Sequence, residues 1–382
     1  MPKVTIDGQS IDVPEGTTIL QAARMIGGDV VPPAMCYYSK LKTSGGYCRT
    51  CIVKVTQGSE KDPRPMPKPV ASCRTTVMDG MVVENKMAPD LLEARKGVVE
   101  FLLINHPLDC PICDQAGECH LQDLSYEHGL AKSRYDFKRR EFEKIDIGEK
   151  IKLHMTRCIL CYRCVKVAEQ VCDTRVHGVI NRGDVAEIST YIEKAVDNDF
   201  SGNMIDVCPV GALTDRTFRF KSRVWFTKPM NAHRNCNKCS GKTIVWMSGE
   251  DVLRVSARKD KYGEVEEWIC NDCRFEKKEV KDWTIEGPRA IDRNSVISQN
   301  HYETVKQLKI DVSNQKQIVE SAHVSTPLNV ARSSSLNTAD SSSLNTADSA
   351  SLNTADSTSK DVARSISKNG AGFDSSENTS NN

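Results

Sequence analysis

The chain has 382 residues with 52 Lys+Arg against 51 Asp+Glu, a net charge of +1, 6% aromatic residues and a mean hydropathy of −0.45. A balance this close to neutral argues against nucleic acid as the main partner, because tracking phosphates requires a basic excess. The longest apolar run, 98–104, is interrupted by Glu100 and falls far short of the roughly 18 residues of a membrane span; the MPKVTIDG start suggests neither a signal nor a transit peptide.

The first elements predict a small β-plus-helix unit. Val4 and Ile6 alternate, Asp7-Gly8 supplies a hairpin turn, and Ile11 and Val13 alternate again. Thr18-x-x-Gln21 forms a capping box before a helix whose apolar face is Ile19, Leu20, Ala23 and Ile26, closed by Gly27-Gly28. Strand, turn, strand, helix and then a glycine-rich cysteine loop is the order of a β-grasp ferredoxin. Residues 57–69 form a loop spaced by Pro63, Pro65, Pro67 and Pro69. Next comes a helix capped by Asp90-x-x-Glu93, with Leu91, Leu92, Val98, Val99, Leu102 and Leu103 as its buried stripe, ending before His106-Pro107. The charge run 132–144 reads as a solvated face, with docking on a partner as the alternative. Residues 242–257 predict a β-hairpin turning at Ser248-Gly249-Glu250-Asp251. The octapeptide SSSLNTAD then stands at 333–340 and 341–348 and returns as SASLNTAD at 349–356; one Leu per eight residues cannot build a core, so 286–382 is expected to be disordered.

Cysteine is the informative residue. There are 16, in clusters, with Cys-x2-Cys occurring six times. Without a secretion signal a disulfide framework is not expected, and clustered reduced thiols point to metal. Cys36, Cys48, Cys51 and Cys73, with Ser44-Gly45-Gly46 before the close pair, follow the logic of a [2Fe–2S] site, with zinc as the alternative. His106, Cys110, Cys113 and Cys119, in HPLDCPICDQAGEC, combine one imidazole with three thiolates directly after a helix end; structural zinc uses the same donors. Cys158, Cys161 and Cys164 with a remote Cys208-Pro209 follow the [4Fe–4S] ferredoxin pattern, for one cubane only, since Ala168 stands where a second cluster would need a cysteine. Cys236, Cys239, Cys270 and Cys273 form two knuckles flanking the hairpin, which suit zinc or another [4Fe–4S] cluster equally. Cys172 is left over as a structural thiol.

The segments GGYCRTC, HPLDCPICDQAGECHLQD, MTRCILCYRCV and FSGNMIDVCPVGALTD together resemble the family of large iron–sulfur subunits of the proton-pumping NADH:quinone oxidoreductase (respiratory complex I), over about residues 1–285. The resemblance implies a [2Fe–2S] cluster on Cys36, Cys48, Cys51 and Cys73. It implies [4Fe–4S] clusters on His106, Cys110, Cys113 and Cys119 and on Cys158, Cys161, Cys164 and Cys208. It further implies single-electron relay from a flavin subunit toward quinone. The partners would be the flavin/NADH-binding subunit and the cluster-bearing subunits leading to the quinone site. The place would be peripheral, on the cytoplasmic face of a bacterial inner membrane, with the mitochondrial matrix side as the alternative. Three departures stand out. The gap from Cys51 to Cys73 is long, the distal site has Thr243 where members commonly have a third cysteine, and nothing corresponds to the molybdopterin-oxidoreductase-like region of many members, so no pterin role is expected.

No G-x-G-x-x-G or Walker loop accompanies a strand–helix unit, so the NADH site is expected on a partner. The expected architecture is α+β: a β-grasp [2Fe–2S] domain (1–86), a helical His-plus-three-Cys [4Fe–4S] segment (87–130), a ferredoxin-like [4Fe–4S] domain (131–222), a β-rich four-cysteine module (223–285) and the tail. Two rival functions are an electron-transfer subunit of an NAD-linked hydrogenase or formate dehydrogenase, and a zinc-binding scaffold without redox chemistry.

Overall fold

Val4 and Ile6 are fully buried on one face of β1 (Lys3–Ile6), which turns through Asp7-Gly8, both at positive φ, into β2 (Gln9–Asp12). Helix α1 (Ile19–Ile26) starts as predicted: the Gln21 amide donates to Thr18 Oγ1 (3.3 Å), and Gln21 Oε1 accepts from the Thr18 amide (2.9 Å). That box contributes about 1 kcal/mol, whereas burying Ile19 and Leu20 completely contributes roughly 2 kcal/mol each, so packing holds the helix and the cap sets its start. Strands β3 (Ile52–Gln57), β4 (Val70–Ala71) and β5 (Met81–Glu84) complete a sheet of order β2-β1-β5-β3-β4, in which β1 and β5 are parallel, the β-grasp order. These elements belong to a computed structural model that describes residues 1–289 apart from 87, 131, 143 and 192–194. The octapeptide repeats lie outside the described residues.

Helix α2 (Pro89–Leu103) corrects one expectation. Its N-cap is Ala88, with Pro89 in the first turn; Asp90 lies inside the helix and pairs with Lys54 (2.8 Å) instead of capping. Its fully buried positions are Leu91, Arg95 and Val99, one every four residues, while Leu92, Val98, Leu102 and Leu103 are only half-buried. Arg95 occupies the stripe because its guanidinium donates to Ile52 O (2.9 Å) and Asn85 Oδ1 (2.7 Å), tying the helix to β3.

Helix α3 (His120–His128) packs on α2. Strands β6 (Lys144–Asp146), β7 (Ile151–His154) and β10 (Leu213–Asp215) form a sheet of order β10-β7-β6; β8 (His177–Ile180) pairs with β9 (Glu187–Thr190), and α4 (Arg163–Gln170) lies against α5 (Asn203–Val207). The expected hairpin is β12 (Thr243–Ser248) and β13 (Asp251–Ala257), but it is the edge of a four-stranded sheet, β13-β12-β11-β14. Strands β11 (Lys228–His233) and β14 (Thr284–Pro288) have no counterpart among the expected elements, and β14 carries the ordered module past the expected boundary at 285 because it pairs with β11.

The units expected over 87–285 do not have separate cores. One apolar cluster includes Val99, Leu121, Leu153, Val167, Val207, Val245 and Phe275, and it reaches the loop of the first unit at Met35 and Tyr38. The charge run is exposed over most of 132–142. Among the described residues no helix is long and apolar enough to cross a membrane.

Candidate metal centres

The first ligand set hangs on the β-grasp sheet. Cys36 lies in the loop after α1, Cys48 and Cys51 lead into β3, and Cys73 follows β4; all four are at least 96% buried. Gly45 and Gly46 have φ of +98° and +90°, and a Cβ on Gly45 would sit 3.1 Å from Cys73 Sγ. The Gly46 amide donates to Cys73 Sγ (3.2 Å) and the Tyr47 amide to Cys36 Sγ (3.3 Å). Glycine is needed here both for the backbone turn and to let amides reach the sulfurs. Ser72 Oγ donates to Cys51 O (2.7 Å) and locks the two ligand loops together.

His106, Cys110, Cys113 and Cys119 line a single cavity of about 500 Å³ between α2, α3 and the Gly211 loop. His106 follows the end of α2, and Cys119 is the N-cap of α3. His106 Nδ1 is buried without a hydrogen-bond partner. Burial, followed by the Arg157 charge, pushes its pKa down to about 4, so the imidazole is neutral, as a metal ligand must be. An orphaned neutral imidazole and three thiols around one cavity fit a metal cluster. Burial pushes the Cys119 thiol up to about 12, a cost that a cationic metal core offsets.

Cys158, Cys161, Cys164 and Cys208 likewise surround one cavity, otherwise apolar and lined by Leu153, Ile159, Ile188 and Val210. Leu160 and Tyr162, at φ +51° and +64°, coil the backbone so that the three loop cysteines turn inward, and α5 delivers Cys208 from the other side. Cys172 is buried but does not line this cavity. The fourth set behaves differently: the sulfurs of Cys236, Cys239, Cys270 and Cys273 all lie within 4.8 Å of one another.

Residues that carry no sequence signal join the sites. Arg163, between two ligands of the third set, donates to Tyr37 O (2.6 Å), Ala34 O (3.2 Å) and Val207 O (3.3 Å), and Tyr162 stacks on Tyr47 with centroids 4.3 Å apart. These contacts put the third set against the first. On its other side, Arg157 pairs with Asp109 (2.8 Å), the His120 amide donates to Pro209 O (3.2 Å), and a Cβ on Gly211 would lie 2.1 Å from Cys113 Sγ. The third set therefore lies between the first and the second, an order the chain does not follow. Only the basic residues inside the cysteine motifs hint at this, and an arginine beside a ligand has many other uses.

Comparison with known proteins agrees with the domain chemistry. Residues 2–87 match the 2Fe-2S iron-sulfur cluster binding domain, 95–134 the NADH-ubiquinone oxidoreductase-G iron-sulfur binding region, and 148–214 the NADH-quinone oxidoreductase subunit 3, ferredoxin-like domain. The G subunit of the NADH-quinone oxidoreductase of Rickettsia bellii is 39% identical over 80% of this chain and 43% of its own length. The NADH-ubiquinone oxidoreductase 75 kDa subunit of Reclinomonas americana is 41% identical over 72% of this chain and 38% of its own length. The chain thus spans less than half the length of these curated relatives. A chain in a crystal structure of an NAD+-reducing [NiFe]-hydrogenase in the H2-reduced state is similar with a TM-score of 0.50 and 26% identity, over 58% of this chain and 91% of that one.

Proposed function

The chain is a homologue of the large iron–sulfur (G or 75 kDa) subunits of NADH-quinone oxidoreductase, and from that premise we propose that it is an iron–sulfur electron-transfer subunit of such a complex, relaying single electrons between a flavin/NADH-binding partner and the cluster-bearing subunits nearer quinone. Cys36, Cys48, Cys51 and Cys73 would hold a [2Fe–2S] cluster. His106, Cys110, Cys113 and Cys119 would hold one [4Fe–4S] cluster, and Cys158, Cys161, Cys164 and Cys208 another. When bound, such clusters supply one-electron redox chemistry with little movement of the protein. The chain's own residues bury the first ligand set and most of the other two, leaving Cys110 exposed, direct amide donors such as that of Gly46 at sulfur, and hold the sites in contact.

The observation that carries this reading is contiguity: the third ligand set touches the first through Arg163 and the second through the Pro209–Gly211 loop. A scaffold has no need of three cysteine-rich ligand sets in contact with one another. The subunit would attach peripherally on the cytoplasmic face of a bacterial inner membrane, through the complex. The similarity to a hydrogenase chain favours a second reading, an electron-transfer subunit of an NAD-linked hydrogenase; Ala168 and the single Cys208-Pro209 weigh against paired ferredoxin cubanes.

The test is iron content and the reduced-state paramagnetic resonance spectrum of the anaerobically purified full chain. About ten iron atoms (two, four and four) with one [2Fe–2S] and two [4Fe–4S] signals is the expected result. Several zinc ions and almost no iron would overturn it. His106→Cys adds a negative charge to its ligand set and is expected to lower that cluster's potential while keeping its iron; a redox titration with no downward shift would remove His106 from the ligand set.

A further inference from the structure

The four sulfurs of the last module stand too close for a cluster. Cys236 and Cys270 Sγ are 3.7 Å apart, Cys239 and Cys270 3.6 Å, and Cys239 and Cys273 3.7 Å. A tetrahedral ion with metal–sulfur bonds of about 2.3 Å sets its ligands roughly 3.8 Å apart, so this spacing is that of four thiolates on one centre. A cubane holds its ligands on four different irons, with its own irons and sulfides between them, and so keeps the thiolates out of mutual contact. The molecule contains its own control. Among the described residues these four are the one such donor group with all ligand atoms within 4.8 Å, while the second and third sets are spread around cavities.

The surrounding backbone is built for the same purpose. Both cysteines of the first knuckle receive an amide two residues on, Lys238 N–H to Cys236 Sγ (3.5 Å) and Gly241 N–H to Cys239 Sγ (3.4 Å). Gly241, at φ +70°, is required: a Cβ there would lie 2.0 Å from Arg234 O. Arg234 Nη1 donates to Cys273 Sγ (3.4 Å), so each knuckle has donors that stabilise thiolate charge. With four protein donors the coordination sphere is closed, leaving no position for substrate.

We infer that Cys236, Cys239, Cys270 and Cys273 hold a single tetrahedral zinc ion as a structural staple, and that the chain has no fourth iron–sulfur cluster. The staple joins the β11–β12 connection to the segment after β13. That segment is sewn to α5, which ends at Cys208, and to the turn before it: Asn203 Nδ2 donates to Ile269 O (2.8 Å), the Ile269 amide donates to Asn203 Oδ1 (3.1 Å), and Asn271 Nδ2 donates to Asn198 O (2.8 Å). The zinc therefore steadies the back of the third ligand set without taking part in redox chemistry. This inference does not rest on the electron-relay reading, because the two are read from different metals.

The experiment is elemental analysis of the anaerobically purified full chain and of two variants, Cys236→Ser/Cys239→Ser and Cys270→Ser/Cys273→Ser, together with zinc-edge X-ray absorption of the unaltered chain. One zinc per chain, with four sulfur neighbours at about 2.3 Å, is expected, and each variant loses that zinc. The absorption measurement needs no variant and stands even if the substituted chains fail to fold. Absence of zinc from the unaltered chain overturns the proposal. In that case about four irons lost from each variant would mean a cubane, one iron lost a mononuclear iron site, and no loss an unmetallated module.

Discussion

At the scale of single residues, close approach explains what the motifs do not state. Gly211, in the loop after Cys208-Pro209, has no room for a side chain: a Cβ would fall 2.1 Å from Cys113 Sγ and 3.1 Å from Gln115 Cβ. Gly211→Ala is therefore expected to abolish the His106-site signal in the reduced chain while sparing the [2Fe–2S] signal, as paramagnetic resonance of the variant would show. His177 offers a test of a different kind. It is 98% buried, neither ring nitrogen has a partner, and burial holds its pKa down at about 4 against an ordinary 6.5. Above pH 6.5 the folded and unfolded chains both keep this ring neutral. As pH falls from 6.5 toward 4 the unfolded chain takes up a proton that the folded chain refuses, so stability declines by up to about 3 kcal/mol across that window. Denaturant unfolding at pH 7.5, 6 and 5 should show a steeper loss for the native chain than for His177→Gln; parallel slopes would mean that the ring is not held neutral.

At the scale of elements, buried charge does what apolar packing usually does. Arg274, in the turn after Cys273, pairs with Asp206 of α5, both nearly fully buried, and Asp206 Oδ2 also accepts from the Ala257 amide (3.2 Å). One carboxylate thus joins α5, the end of β13 and the second knuckle. Asp206→Asn leaves a buried guanidinium without its counter-charge and is expected to destabilise the chain by roughly 3 kcal/mol. The expected readout is a lower unfolding midpoint with zinc and iron content unchanged under native conditions. On the opposite side, Glu264 accepts from Arg24 Nη1 (2.7 Å) and the Ser39 amide (2.8 Å), and the Val265 amide donates to Tyr38 Oη (2.6 Å), seating the β-grasp unit on the four-cysteine module. Such side chains pair across more than 200 positions of sequence, so no local pattern announces them.

At the scale of the whole molecule, the sites form a row in space that differs from their order in the chain: first set, third set, second set. Because the third set contacts the first through Arg163 and Tyr162, the spin relaxation of a reduced [2Fe–2S] centre on the first set is expected to depend mainly on the third. Cys208→Ser should slow that relaxation far more than Cys119→Ser, and equal effects would place both sets at similar distances from the first. Much of this protein is legible in one dimension. The close Cys-x2-Cys pairs are local features of the chain, as are the Thr18–Gln21 box and the Asp7-Gly8 turn, each set within a few residues. The start of helix α2 is not legible, because Asp90 has a partner in Lys54, and β11 and β14 escape any local pattern because each is a strand only through its partners, β11 between β12 and β14 and β14 on β11. Spacing between cysteines names the donors of a site, but the number of metal atoms depends on how far apart the sulfurs finally stand. That distance, like the order of the sites, is decided by packing among segments remote in sequence, which only the tertiary structure brings together.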